Sequence, residues 1–150
     1  MLDQFGRQID YLRVSVTERC NLRCTYCRAE EGDCPKEREL TADEFTRIVS
    51  VFADLGIKKV RLTGGEPLLR KDIMKIIKNI SVIEGIRDLS MTTNAQQLNG
   101  RARLLRSAGL NRVNISMDSL KPDRFKAMCG GNLDLVLKGI EESMEAGLTP

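Results

Sequence analysis

Residues 12–27 read LRVSVTERCNLRCTYC. Leu12, Val14 and Val16 alternate with polar neighbours, the period of a strand that buries one face. The strand feeds straight into a loop carrying Cys20, Cys24 and Cys27. The elements beyond the loop decide whether this strand opens an α/β fold.

Downstream, Thr41 followed by Glu44 forms the pattern of a capping box, and Phe45, Ile48, Val49, Phe52 and Leu55 recur at helical spacing until Gly56. Val60 and Leu62 mark a second strand, GGEP at Gly64–Pro67 a turn, and Ile73, Ile76, Ile77 and Ile80 one face of a second helix. A third strand is predicted in Arg87–Thr93, a third helix in Arg101–Ala108 ended by Gly109, and a fourth strand in Arg112–Met117. Leu133, Val136, Leu137, Ile140 and Met144 give a last helical stripe that ends at Gly147. After the first loop the strands begin at intervals of roughly 25 to 30 residues, the length of a βαβ unit. The alternation predicts an α/β fold with a parallel sheet and helices on its outer side, because parallel neighbours need crossovers. Four βα units make an open half-barrel with bare edges, so the pattern predicts a further strand past Pro150 and a longer parent protein.

Composition narrows the chemistry. The chain has 150 residues, 41% hydrophobic and 30% charged, enough for one ordinary core. No apolar run approaches the ~20 residues that cross a bilayer, and the N-terminus lacks the order of a secretory signal, so the expectation is a cytoplasmic protein with no membrane partner. The 24 basic and 21 acidic residues are interspersed, and the formal charge of +3 gives no support to nucleic-acid binding. It suits either a small polyanion or simply a solvated surface. With no His, the commonest metal ligand and general base is missing from these residues, and difficult chemistry has to come from a cofactor. Of 5 cysteines, three lie in one short loop, a poor start for a disulfide framework. C-x3-C-x2-C leaves three readings open: a cubane iron-sulfur cluster with one iron unclaimed by protein, a zinc ion completed by Cys34, Cys129 or a carboxylate, or plain buried thiols.

C-x3-C-x-aromatic-C after a first strand, with GGEP after the second, resembles the signature of radical S-adenosylmethionine (SAM) enzymes. The runs LRVSVTERCNLRCTYC, VRLTGGEPLLRKD, MTTNA and VNISMDSL are similar, more narrowly, to the GTP 3′,8-cyclases of molybdenum-cofactor (molybdopterin) biosynthesis. The resemblance implies a partial (βα)6 TIM-like barrel, with residues 1–150 the N-terminal part of the core domain, before the remaining strands and a second-cluster region. It implies a 4Fe-4S cluster on Cys20, Cys24 and Cys27, SAM held by Tyr26, Gly65 and Ser116, and GTP held by Arg13, Arg61 and Thr92, with no catalytic acid or base. The implied activity is that of a lyase. A 5′-deoxyadenosyl radical takes the ribose 3′ hydrogen of GTP, and the carbon radical closes onto guanine C8. The implied partners are an electron donor such as flavodoxin or ferredoxin, the next enzyme of the pathway, and a second copy in a homodimer.

Two positions depart from the resemblance. Ala95 stands where the motif usually has Gly, at a turn that favours positive φ, and Cys129 stands where a hydroxyl residue is expected before Gly130. The rival readings are a radical SAM enzyme with a different C-terminal half, such as a peptide modifier, and a non-enzymatic zinc module using Cys34.

Overall fold

The computed structural model describes residue 2, residues 4–27 and residues 39–148. Cys34 and Pro150 lie outside them. Strands β1 (Tyr11–Ser15), β2 (Lys59–Thr63), β3 (Asp88–Thr93) and β4 (Arg112–Ile115) form one sheet in the order β1-β2-β3-β4, every neighbouring pair parallel. Helices α1 (Ala42–Asp54), α2 (Ile73–Ser81) and α3 (Ala102–Ser107) supply the three crossovers, and α4 (Pro122–Cys129) and α5 (Leu133–Glu145) follow the last strand. The architecture is α/β, four βα units of a partial barrel, as the alternation predicts.

The two faces of the sheet differ in kind. Val14, Val60, Leu62, Leu89, Met91 and Val113 project to one side and form a single core with Phe45 and Val49 of α1, all four isoleucines of α2, Leu105 of α3 and Val136 of α5. Tyr11, Arg13, Ser15, Lys59, Arg61, Thr63, Ser90, Thr92, Arg112 and Asn114 alternate with them and occupy the other side. A parallel sheet covered on both faces reads as continuous apolar runs. Here only the helix-covered face is apolar, so the polar face is the lining side of the partial barrel.

Helix α1 begins as its capping box dictates: Glu44 N–H donates to Thr41 Oγ1 at 3.3 Å, and Thr41 N–H donates to Glu44 Oε2 at 2.7 Å. Helix α2 is amphipathic in the strict sense, with Ile73, Ile76, Ile77 and Ile80 fully buried. The apolar stripes of α1 and α5 are wider than the faces they bury: Phe45 and Val136 are interior, whereas Leu55 and Met144 are exposed.

Two elements escape the sequence pattern. The 3-10 turn Pro67–Leu69 and helix α4 carry no apolar stripe; α4 turns only Phe125 and Cys129 inward. Its ends are marked instead by Pro122 in the first turn and by Gly130 at φ 73° after the last. Cys129 is thus a buried helix-end residue whose Sγ donates to Phe125 O. Among the described residues no helix is long and apolar enough to cross a membrane.

Candidate functional site

The loops that leave the C-terminal ends of the strands meet one another, the usual place for a site in a parallel α/β sheet. After β1, Val16 N–H continues the ladder to Thr63 O at 2.9 Å. After β2, Gly65 N–H donates to Thr17 O and Glu66 N–H to Arg19 O, both at 2.7 Å. Both glycines are required by this approach. A Cβ on Gly64, which sits at φ 140°, would lie 2.1 Å from Thr17 O, and one on Gly65 would lie 2.2 Å from Arg19 O. GGEP therefore splices the end of β2 to the stem of the cysteine loop. The Gly65 N–H is thus committed within the chain.

Glu66 carries the splice on to β3. It is 1% exposed and accepts from Leu68 N–H (3.0 Å) and Thr93 Oγ1 (2.7 Å) through Oε1, and from Asn94 N–H (2.7 Å) through Oε2. Burial pushes its carboxyl above the ordinary range, against the pull of these donors. The turn beyond β3 has Ala95 at φ 59°, so the left-handed geometry is kept without glycine. Ala95 N–H donates to Thr93 Oγ1 at 3.0 Å, and the side chain of Asn94 reaches Cys20, its Nδ2 3.8 Å from Sγ.

The cysteine loop is fixed from the far side by α4. Thr25 N–H donates to Met128 O at 2.8 Å and Arg23 N–H to Cys129 O at 3.2 Å, while Leu22 and Cys24 pack on the core. Cys20 and Cys27 are exposed, Cys24 is half-buried, and all are free thiols. Burial raises the Cys24 thiol above its ordinary value; a bond with Tyr26 opposes this. Tyr26, itself exposed, donates through its hydroxyl to Asp118 Oδ2 at 2.8 Å, which ties the loop after β1 to the loop after β4 and raises the phenol above its ordinary range. Among the described residues no three Cys, Asp or Glu side chains close on one point. Three free thiols carried by one loop are a donor set that suits a cubane, which takes each thiolate at a separate iron corner.

The stem of the loop is held by charge. Arg70, 5% exposed, donates to Val16 O at 2.8 Å, to Leu40 O at 2.9 Å and to Asp72 Oδ2 at 2.7 Å. Glu39 accepts from Arg19 at 3.0 Å and from the Thr17 hydroxyl. Burial pushes the Glu39 carboxyl up, but Arg19 and Thr17 outweigh it and hold the group below its ordinary value.

On the polar face the register sets Arg13 beside Arg61, Arg61 beside Ser90 and Ser90 beside Arg112. Arg112 is paired with Asp88, its Nε 3.0 Å from Oδ1. Arg61 donates to Ser90 Oγ at 3.4 Å and lies over the Tyr11 ring at 5.5 Å. Among the described residues neither Arg13 nor Arg61 has a carboxylate partner. One step along the strands, Thr92 sits beside Asn114, whose Oδ1 is buried without a hydrogen-bond partner among the described residues. Ser116 continues β4, its N–H donating to Thr93 O at 3.0 Å.

The structure thus gathers Cys20, Cys24, Cys27, Tyr26, Gly65 and Ser116 at the C-terminal ends of the strands, with Arg13, Arg61 and Thr92 on the adjoining polar face. Glu66, Asn94, Asp118 and Arg70 also belong to this end of the sheet and were not singled out in the sequence. The Glu of GGEP and the Asn of TTN were visible as letters, but only the parallel pairing of β2 with β3 brings them into contact.

The family model for the radical SAM superfamily matches residues 14–150. The chain is 54% identical to the GTP 3′,8-cyclase of Listeria monocytogenes serotype 4b, over 99% of this chain and 45% of the relative. It is 50% identical to that of Alkaliphilus metalliredigens, over 100% of this chain and 48% of the relative. The chain spans about half the length of the curated relatives it matches. In fold it is similar to SuiB of Streptococcus suis bound to S-adenosylmethionine, with TM-score 0.80 and 22% identity over 93% of this chain and 32% of that one. It is also similar to anSMEcpe with bound AdoMet, with TM-score 0.71 and 18% identity over 93% of this chain and 41% of that one.

Proposed function

Since this chain belongs to the radical SAM superfamily, we propose that it serves the reaction for which its relatives are named, the 3′,8-cyclisation of GTP, using a 4Fe-4S cluster and SAM. The observation that carries the reading is the meeting of the cysteine loop, the Gly64-Gly65-Glu66 turn and the end of β3 above a polar sheet face that presents two guanidinium groups without carboxylate partners among the described residues.

In this reading Cys20, Cys24 and Cys27 would hold the cluster as thiolates, three protein ligands that would leave room for SAM beside it. When bound, the cluster and SAM supply the one-electron chemistry that opens the ribose C3′–H bond of GTP. The chain's own residues bind, orient and exclude water. Tyr26, anchored by Asp118, offers its ring to the adenine; Gly65 offers backbone and Ser116 a hydroxyl to SAM. Arg13 and Arg61, with Thr92 beside them, neutralise and orient GTP. Placement of the ribose matters more than any acid or base, because holding reactants in register removes most of the entropic barrier. Arg112 is a weaker candidate for the polyanion because Asp88 already neutralises it.

A one-electron donor of the flavodoxin or ferredoxin kind, the next enzyme of molybdopterin biosynthesis, a homodimeric assembly and a cytoplasmic location all belong to the same reading. Anaerobic reconstitution of the chain tests its foundation. The expected result is about four irons and four acid-labile sulfides per chain, with an electron paramagnetic resonance signal that changes on adding SAM. Zinc without sulfide would overturn it.

A further inference from the structure

We propose that Asn94 tunes the cluster by donating an amide N–H to the Cys20 sulfur, and that Glu66 is the residue that positions it. The inference rests on the cluster reading above but concerns residues for which that reading has no use.

The orientation of the amide follows from its partners. Asn94 Oδ1 accepts from Gln96 N–H at 3.0 Å, which leaves Nδ2 facing Asn21 Oδ1 at 2.8 Å and Cys20 Sγ at 3.8 Å. Swapping the two amide atoms would set an N–H against the Gln96 N–H and an oxygen against the Asn21 oxygen, so the network admits one orientation. Cys20 Sγ also accepts from Leu22 N–H at 3.4 Å, and two donors therefore converge on this sulfur.

Glu66 holds the backbone of Asn94 from beneath, and the side-chain amide is aimed from that fixed point. Its carboxylate takes the backbone N–H of Asn94 and the Thr93 hydroxyl, and Thr93 Oγ1 in turn takes the Ala95 N–H. A carboxylate this buried interacts strongly with its fixed donors and gives the residue it holds little freedom to turn. The chain of contacts runs from the end of β2 through the end of β3 to the loop after β1. Donors on a cluster-bound thiolate draw charge from the sulfur and stabilise the reduced, more negative state, which raises the reduction potential.

The test is a redox titration of the reconstituted chain followed by electron paramagnetic resonance, with iron content and circular dichroism as controls. Asn94→Asp keeps an oxygen for Gln96 N–H and loses the donor. Asn94→Ser keeps a shorter acceptor and loses the reach to Cys20, and carries the test by itself if the aspartate variant does not fold. At the wild-type midpoint potential the ratio of reduced to oxidised cluster is expected to fall at least threefold in both, more in the aspartate, with iron content unchanged. Glu66→Gln should shift the ratio in the same direction by less. An unchanged ratio in a folded, fully loaded Asn94 variant overturns the proposal, and so does a folded variant that no longer retains iron. A wild-type chain that takes up no 4Fe-4S cluster overturns the cluster reading itself and this inference with it.

Discussion

Gly64 and Gly65 show how little room the cysteine loop leaves for the turn that supports it. The atoms that a Cβ on Gly65 would meet are backbone, the Arg19 and Glu18 carbonyls, so no rotamer change can relieve the clash. Gly65→Ala is therefore expected to destabilise the chain by about 2–4 kcal/mol or to expel the loop, read as a lowered denaturant midpoint. Ala95 is the opposite case. A left-handed φ costs a residue bearing Cβ roughly 1–2 kcal/mol, but its methyl is fully buried and would touch even a methyl added to Gly139 of α5. Burying that methyl returns about 0.8 kcal/mol, and alanine also costs the unfolded chain less freedom than glycine does. Ala95→Gly should thus change stability by less than about 0.5 kcal/mol, whereas Ala95→Val, β-branched at positive φ, should cost more than about 2 kcal/mol. An alanine at this left-handed position is tolerated for this reason. The motif's letter suggested strain at the turn; that packing offsets it could be seen only with α5 in place.

At the scale of elements, the cysteine loop is braced by partners of different sensitivity. Its α4 side rests on backbone hydrogen bonds that do not titrate, while its stem depends on Glu39. Glu39 has a folded pKa held below its ordinary value, so its contribution is fully present above that value and is lost as pH falls through the folded one. Acidification is expected to loosen the stem before the sheet melts, seen as increased proteolysis near Arg19 at low pH; Glu39→Gln should remove part of that pH dependence, the rest belonging to Asp72, whose carboxyl Arg70 also holds below its ordinary value. Glu66 works in the other sense. Its carboxyl is raised by burial, so its contribution is greatest below the ordinary carboxylate value and falls as pH rises through the folded one. The acid limb therefore reports on the stem rather than on the Glu66 contacts. Helix α1 was readable because Thr41, Glu44 and a periodic stripe are local signals. Helix α4 was not, because Phe125 and Cys129 are its only buried side chains and two inward residues do not make a period.

For the whole molecule, the decisive contrast is between the two faces of one sheet. If the polar face receives GTP, Arg61→Ala should weaken GTP binding by roughly tenfold or more, the range of a lost charge-assisted contact. Arg112→Ala, in the same register row but already paired with Asp88, should weaken it by much less, and calorimetric titration of both variants distinguishes a specific site from general positive charge. An equal loss in the two would remove Arg61 from the site. The sequence by itself determined the α/β class, the order of the strands along the chain, the capped first helix and the cysteine loop, because hydrophobic period, turn residues and ligand spacing act within a few neighbouring residues. It also carried the family's signature motifs. Only the tertiary structure decided that the Glu of GGEP holds the Asn after β3, that Asn94 reaches Cys20, that Tyr26 meets Asp118 and that Arg112 is neutralised while Arg13 and Arg61 have no carboxylate partner among the described residues. Glu66 meets Asn94 28 residues along the chain and Tyr26 meets Asp118 92 along it. Contacts over such separations are set by the parallel register of the strands, which no local pattern encodes.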